Sequence, residues 1–128
     1  MNNLKVNLQE ALTTSFIDKD ILSQQNYHTE LIYNDYKRGT KVLRFLQHEL
    51  TQASAFMFSV AFVTDSGLTV LSNQLKALHH KNIPGKILTS DYLMFNNPKV
   101  FRLLMRYPNI EVRILEGKAL HTKGYLFK

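Results

Sequence analysis

The chain has 128 residues, of which 45% are hydrophobic, 11% aromatic and 20% charged, an ordinary globular composition that predicts one domain with a sizeable core and excludes a disordered protein. It has no cysteine, no apolar run of membrane-spanning length and no secretory pattern in its first ten residues, so disulfides and thiolate metal sites are excluded and a cytoplasmic protein without a membrane partner is expected. The formal net charge of +6 is one-sided: residues 1–75 carry six Lys/Arg against seven Asp/Glu, and residues 76–128 carry ten against three, a balance suited to a polyanion held through its phosphates.

Leu4, Leu8, Ala11 and Leu12 fall at helical spacing and predict a short amphipathic helix over 4–12. The polar stretch 18–39 is a predicted connection, with Asn26, Asn34 and Asp35 as turn formers, Leu31-Ile32-Tyr33 suited to a short edge strand, and His28 at the surface. Residues 1–39 are therefore assigned to an N-terminal helix and connecting segment, and 40–128 to an α/β domain. Val42, Leu43, Phe45, Leu46 and Leu50 mark one face of a helix over 40–52. The nearly unbroken apolar run 55–63 predicts a central strand covered on both faces, whose sole polar member, Ser59, bonds backbone or neighbouring groups. Thr64 or Asp65 is positioned to cap a helix in which Leu68, Leu71, Leu75 and Leu78 repeat at three- and four-residue steps. His79 and His80 fall in its last turn, where a protonated ring meets the helix dipole favourably, and adjacent rings diverge too far to share a metal. Pro84-Gly85 turns the chain into a strand over 86–90. Asn97 and Pro98 form an N-cap and first helical position for a helix carrying Val100, Phe101, Leu104 and Tyr107, ended by Pro108-Asn109. A strand over 110–115, a Glu116-Gly117 turn and a terminal strand complete an α/β order with helices on the faces of a sheet. Every glycine is isolated, so neither a GxGxxG turn nor a Walker A loop is present and no cofactor is predicted.

On the terminal strand, Leu120, Thr122, Gly124 and Leu126 share one face, and His121, Lys123, Tyr125 and Phe127 the other. His121 and Lys123 then stand roughly 7 Å apart, close enough to grip one phosphate, with Lys as a fixed charge and His as a nucleophile or proton carrier. Taken alone, this spacing is a weak signal, and a solvated strand end is its commoner source.

The run His121-Thr122-Lys123-Gly124-Tyr125-Leu126-Phe127 resembles the first part of the His-x-Lys-x4-Asp element of phospholipase D-like enzymes. Leu31 to Asp35, Phe58 to Thr64 and Ile87 to Leu93 extend the likeness over most of 31–128, to the phospholipase D-like N-terminal domain of bacterial superfamily II (DEAD/DEAH-type) helicases. The resemblance implies a phospholipase D-like mixed sheet with helices on both faces, and phosphodiesterase or nuclease chemistry on nucleic acid, DNA rather than RNA, without a metal or other cofactor. It implies that His121 is the nucleophile forming a phosphohistidine, that Lys123 holds phosphate, and that a second motif His protonates the leaving oxygen. One motif per chain implies a homodimer with the site at its interface. The motif's Asp position is 128, occupied by Lys128, and the domain is expected to be truncated at its C-terminal end, within a longer helicase polypeptide. Three functions stay open on these residues: a nuclease-type domain of a helicase, a degenerate module that binds nucleic acid without cutting it, and a dimerisation module that positions the motors.

Overall fold

The computed structural model describes residues 4–16, 30–91 and 97–128, the side chains of 13–16 excepted, and the chain forms two compact units, Met1–Val42 and Leu43–Lys128. In the first unit, helix α1 spans Leu4–Phe16, a turn further than its apolar spacing predicts. No strand forms at 31–33; instead a turn is closed by a single bridge between Asp35 and Thr40. Asp35 Oδ1 accepts from the backbone N–H of Lys37 and Arg38 at 2.9 and 3.1 Å, and Asn34 Oδ1 accepts from Val42 N–H at 2.9 Å. Such local side-chain acceptors build the turn at the turn formers Asn34 and Asp35, while residues 31–33 pair with no strand among the described residues. Asn26 and His28 lie outside the described residues.

The second unit follows α2 (Val42–Gln52), β1 (Phe56–Val60), α3 (Asp65–His80), β2 (Gly85–Ser90), α4 (Pro98–Leu104), β3 (Ile110–Leu115) and β4 (Lys123–Phe127). The four strands form one mixed sheet in the order β3-β2-β1-β4, the first three parallel and β4 antiparallel to β1. The helix starts are those the sequence predicts: Thr64 Oγ1 accepts from Gly67 N–H at 3.0 Å, and Asn97 Oδ1 from Lys99 N–H at 2.9 Å with Pro98 beside it. Helix α4 ends at Leu104, and Tyr107 bonds back to the Leu104 carbonyl from the turn that follows.

Strand β1 is central, but the expected helices on both faces are not found among the described residues of this unit. The chain steps from β1 to β2 to β3 in one direction, so two right-handed crossovers place α3 and α4 on the same side of the sheet. There Leu50 of α2, Leu68, Leu75 and Leu78 of α3, and Val100 and Leu104 of α4 pack with Phe56, Phe58, Val60, Ile87 and Ile110. On the opposite face Met57, Leu88 and Leu126 remain 45%, 36% and 64% exposed. The continuous apolar run at 55–63 therefore describes the chemistry of both faces while only one of them enters the core.

Gly85 pairs with Phe56 across β1 and β2, and the Phe56 ring lies where a methyl group on residue 85 would stand. That ring is 4% exposed and part of the packed core, so an added methyl group must displace it. Gly85→Ala is expected to lower stability by about 1–3 kcal/mol through overpacking, read as a lower midpoint of urea unfolding. An unchanged midpoint would show that the ring relocates freely.

Candidate phosphate-binding site

Strands β1, β2 and β3 all end on one edge of the sheet, the edge where open α/β sheets carry their ligands. Because β4 is antiparallel, it begins on that same edge, and this brings His121 and Lys123 beside the ends of the parallel strands. Lys123 pairs with Val60, Tyr125 with Phe58 and Phe127 with Phe56, so Lys123 shares the face that the helices cover. Ala61 N–H donates to the Thr122 carbonyl at 3.0 Å, which carries the ladder one step beyond the strand and leaves His121 just past the last bonded pair.

Thr122 is fixed by hydroxyl contacts on the other face. Its Oγ1 lies 2.7 Å from Ser59 Oγ and donates to the Ser59 carbonyl at 3.2 Å. With Thr122 held there, strand alternation turns Lys123 to the opposite face, the one it shares with Val60. Ser59 thus bonds its neighbours, the structural role expected of it, and in doing so helps set the orientation of Lys123.

The edge is stiffened by three residues that sequence reasoning did not single out. Thr89 and Ser90, both fully buried, donate to the Ala61 carbonyl at 3.3 and 3.4 Å, tying the end of β2 to the end of β1. The Asp91 carboxylate accepts from Gly117 N–H at 3.1 and 3.3 Å, and Gly117 has the positive φ of 64° that a glycine adopts without strain. The available signal was a run of three polar residues, Thr89-Ser90-Asp91, closing an apolar strand. Polar groups at a buried strand end require specific partners.

His121 and Lys123 are both exposed, and neither side chain forms a hydrogen bond or ion pair with another described residue. A desolvated internal partner would have to be displaced before an anion could bind, and here none is present. Of the ten Lys/Arg in 76–128, Lys86 and Arg113 share Glu111 and Lys99 meets Asp65 at 2.7 Å. The other seven, Lys123 among them, are exposed without an acidic partner among the described residues. An apolar cavity of about 250 Å³ between α2, α3 and the sheet, bordered by Leu46, Val63, Leu71 and Tyr125, is lined by neither His121 nor Lys123 and by no charged side chain.

Position 128 lies at the other end of β4. Lys128 N–H donates to the Ala55 carbonyl at 2.9 Å, and Ser54 N–H donates to the Lys128 carbonyl at 2.6 Å. Five steps along the antiparallel strand separate it from Lys123, about 17 Å. A side chain there is too distant to share a phosphate-sized ligand with Lys123.

His79 is engaged elsewhere. Asn109 Nδ2 donates to the Ile83 carbonyl at 2.7 Å, which leaves Asn109 Oδ1 to accept from His79 Nδ1 at 3.2 Å. Among the described residues no group of three His, Asp or Glu side chains is placed to hold a metal, and no helix is long and apolar enough to cross a membrane. No protein-family model matches the chain, and no curated protein is significantly similar to it.

Proposed function

We propose that this chain is a phospholipase D-like phosphodiesterase domain of a DNA helicase, acting on nucleic acid with His121 as nucleophile and Lys123 as phosphate holder. The observation that carries the proposal is that His121 and Lys123, both exposed and bonded to no other described residue, come at the start of β4, on the edge where the parallel strands end. In the reaction, His121 attacks phosphorus, a phosphorus–nitrogen bond forms, and the phosphodiester oxygen leaves with a proton from a second imidazole. Water then hydrolyses the phosphohistidine and regenerates the ring. One chain supplies one such imidazole, so a homodimer in which two His121 side chains converge would complete the site. The remoteness of residue 128 supports a working phosphate end despite Lys128, since a carboxylate there would not contact the bound group.

A second function, binding without cleavage, is favoured by one observation. No described residue hydrogen-bonds the His121 ring, whereas a nucleophilic imidazole is ordinarily oriented by a partner on its other nitrogen.

Both functions require phosphate binding, and a salt titration tests that requirement. Seven exposed, unpaired cations predict an affinity dominated by counterion release. For six to ten phosphate contacts, affinity for DNA should fall by about 10³- to 10⁵-fold between roughly 50 and 200 mM salt. Absence of binding at low salt, or binding that ignores salt, would remove the proposal.

A further inference from the structure

The turn Asp35–Thr40 has a construction that the His121 site does not explain. Its aromatic tip residue, Tyr36, is 98% exposed, so it contributes nothing to a core. The turn beneath it is nevertheless well built. It is closed by the Asp35–Thr40 bridge, pinned by the two backbone donors on Asp35 Oδ1, and braced by Thr40 Oγ1 donating to the Tyr33 carbonyl at 3.4 Å and by Asn34 capping Val42. Gly39 takes a φ of 68°, which lets the chain reverse without strain.

The charges at the tip are sorted by direction. The Asp35 carboxylate is turned inward, 21% exposed, where two N–H groups and Arg38 at 3.6 Å neutralise it. Arg38 is 75% exposed, Lys37 and Lys41 are exposed, and a second exposed aromatic, Tyr33, stands three residues before Tyr36. A ring presented to solvent ahead of two exposed cations, Lys37 and Arg38, with the neighbouring anion withdrawn, matches the requirements of single-stranded nucleic acid: a face for an unpaired base and charges for its flanking phosphates. A duplex offers no free base face to such a ring. The residues that follow Tyr36 in the turn are Lys37, Arg38 and Gly39, a charged rather than an apolar setting, while the exposed Leu31 and Tyr33 precede the turn.

We infer that the Asp35–Thr40 turn is a contact for single-stranded nucleic acid, with a base stacked on Tyr36 and its phosphates on Lys37 and Arg38. This rests on the proposed action on nucleic acid and adds to it the strand form recognised. The 128-residue chain would be titrated, by fluorescence anisotropy, with one labelled oligonucleotide as a single strand and as a duplex, and with phosphatidylserine vesicles. Tyr36→Ala should weaken single-strand binding by roughly 5- to 100-fold and leave duplex binding unchanged, while Tyr36→Phe, which keeps the stacking face, should bind like the parent. Both variants should fold as the parent does, because a side chain 98% exposed packs on nothing. If the parent binds DNA in a salt-dependent way and Tyr36→Ala binds single strands equally well, the turn is not a contact and the inference falls alone. If Tyr36→Ala loses affinity for vesicles and not for single strands, the tip faces a membrane and the inference is overturned. If the parent binds no nucleic acid at low salt, this inference and the proposed function fall together.

Discussion

In a cleavage assay run in EDTA, His121→Ala is expected to lower phosphodiester turnover by at least about 10³-fold while leaving nucleic-acid affinity within about twofold of the parent. The asymmetry follows from what each side chain meets along the reaction. An attacking imidazole gains its interaction as the bond to phosphorus forms, so its loss falls on turnover. Lys123 meets phosphate charge in the bound complex as well as in the transition state, and Lys123→Ala should weaken binding and turnover together. Both residues are exposed and bonded to no other described side chain, so neither substitution should disturb folding, and the kinetic comparison is clean. Arginine at 123 is a useful control, since it keeps the charge but replaces a compact ammonium with a planar fork. If the parent cleaves only with added metal, or not at all, or if His121→Ala cleaves as the parent does, the chemistry assigned to His121 is wrong. Salt-dependent binding without cleavage would then leave the binding module as the function.

The parts of this fold that were legible in the sequence are those set by short-range physics. Thr64 and Asn97 are caps because a side-chain oxygen three or two residues ahead of an N–H fixes a helix start without help from the rest of the chain. Leu68, Leu75 and Leu78 repeat at helical steps and enter the core together. The alternation of His121, Lys123, Tyr125 and Phe127 follows from strand geometry, and the β1–β4 register confirms a shared face for Lys123, Tyr125 and Phe127. What was not legible depends on topology. Met57, within the run expected to be covered on both faces, and Leu88 beside it face the side of the sheet opposite the helices of this unit and are exposed. Likewise Thr89, Ser90 and Asp91 acquire their partners only when β2 is laid beside β1 and the turn after β3 comes within reach. The strand expected at Leu31, Ile32 and Tyr33 does not form, because strand-forming residues need a partner ladder and no described strand pairs with them.

Phe58→Ala should be the most destabilising single substitution among those considered, at about 3–5 kcal/mol. Phe58 is 6% exposed in the middle of β1, and its ring meets Tyr125 at 5.0 Å and 80° and Phe127 at 5.8 Å and 77°, with Phe56 at 5.0 Å on its own strand. Edge-to-face pairs of this kind contribute about 0.5–1.5 kcal/mol beyond the area they bury. Among the described residues strand β4 pairs only with β1, and Leu126 on its other face is exposed, so Phe127, packed against the core, and the half-exposed Tyr125 hold it there through their contacts with Phe58. Removing the ring they share creates a cavity and releases β4 at once. A domain stable by about 5–15 kcal/mol would lose a large fraction of that margin. Urea unfolding would show a lower midpoint at unchanged slope, and native-state hydrogen exchange would show β4 amides losing protection ahead of those of β2. Phe58→Leu, which refills most of the volume without the ring edges, should fall between the two. The functional consequence is indirect and distinctive: Phe58 is buried and touches no ligand, yet its loss should also weaken nucleic-acid binding, because Lys123 and His121 hold their places only while β4 stays paired with β1. If β4 keeps its protection and DNA affinity is unchanged in Phe58→Ala, the aromatic cluster is not what positions the pair, and the hydroxyl contacts between Ser59 and Thr122 become the alternative to test.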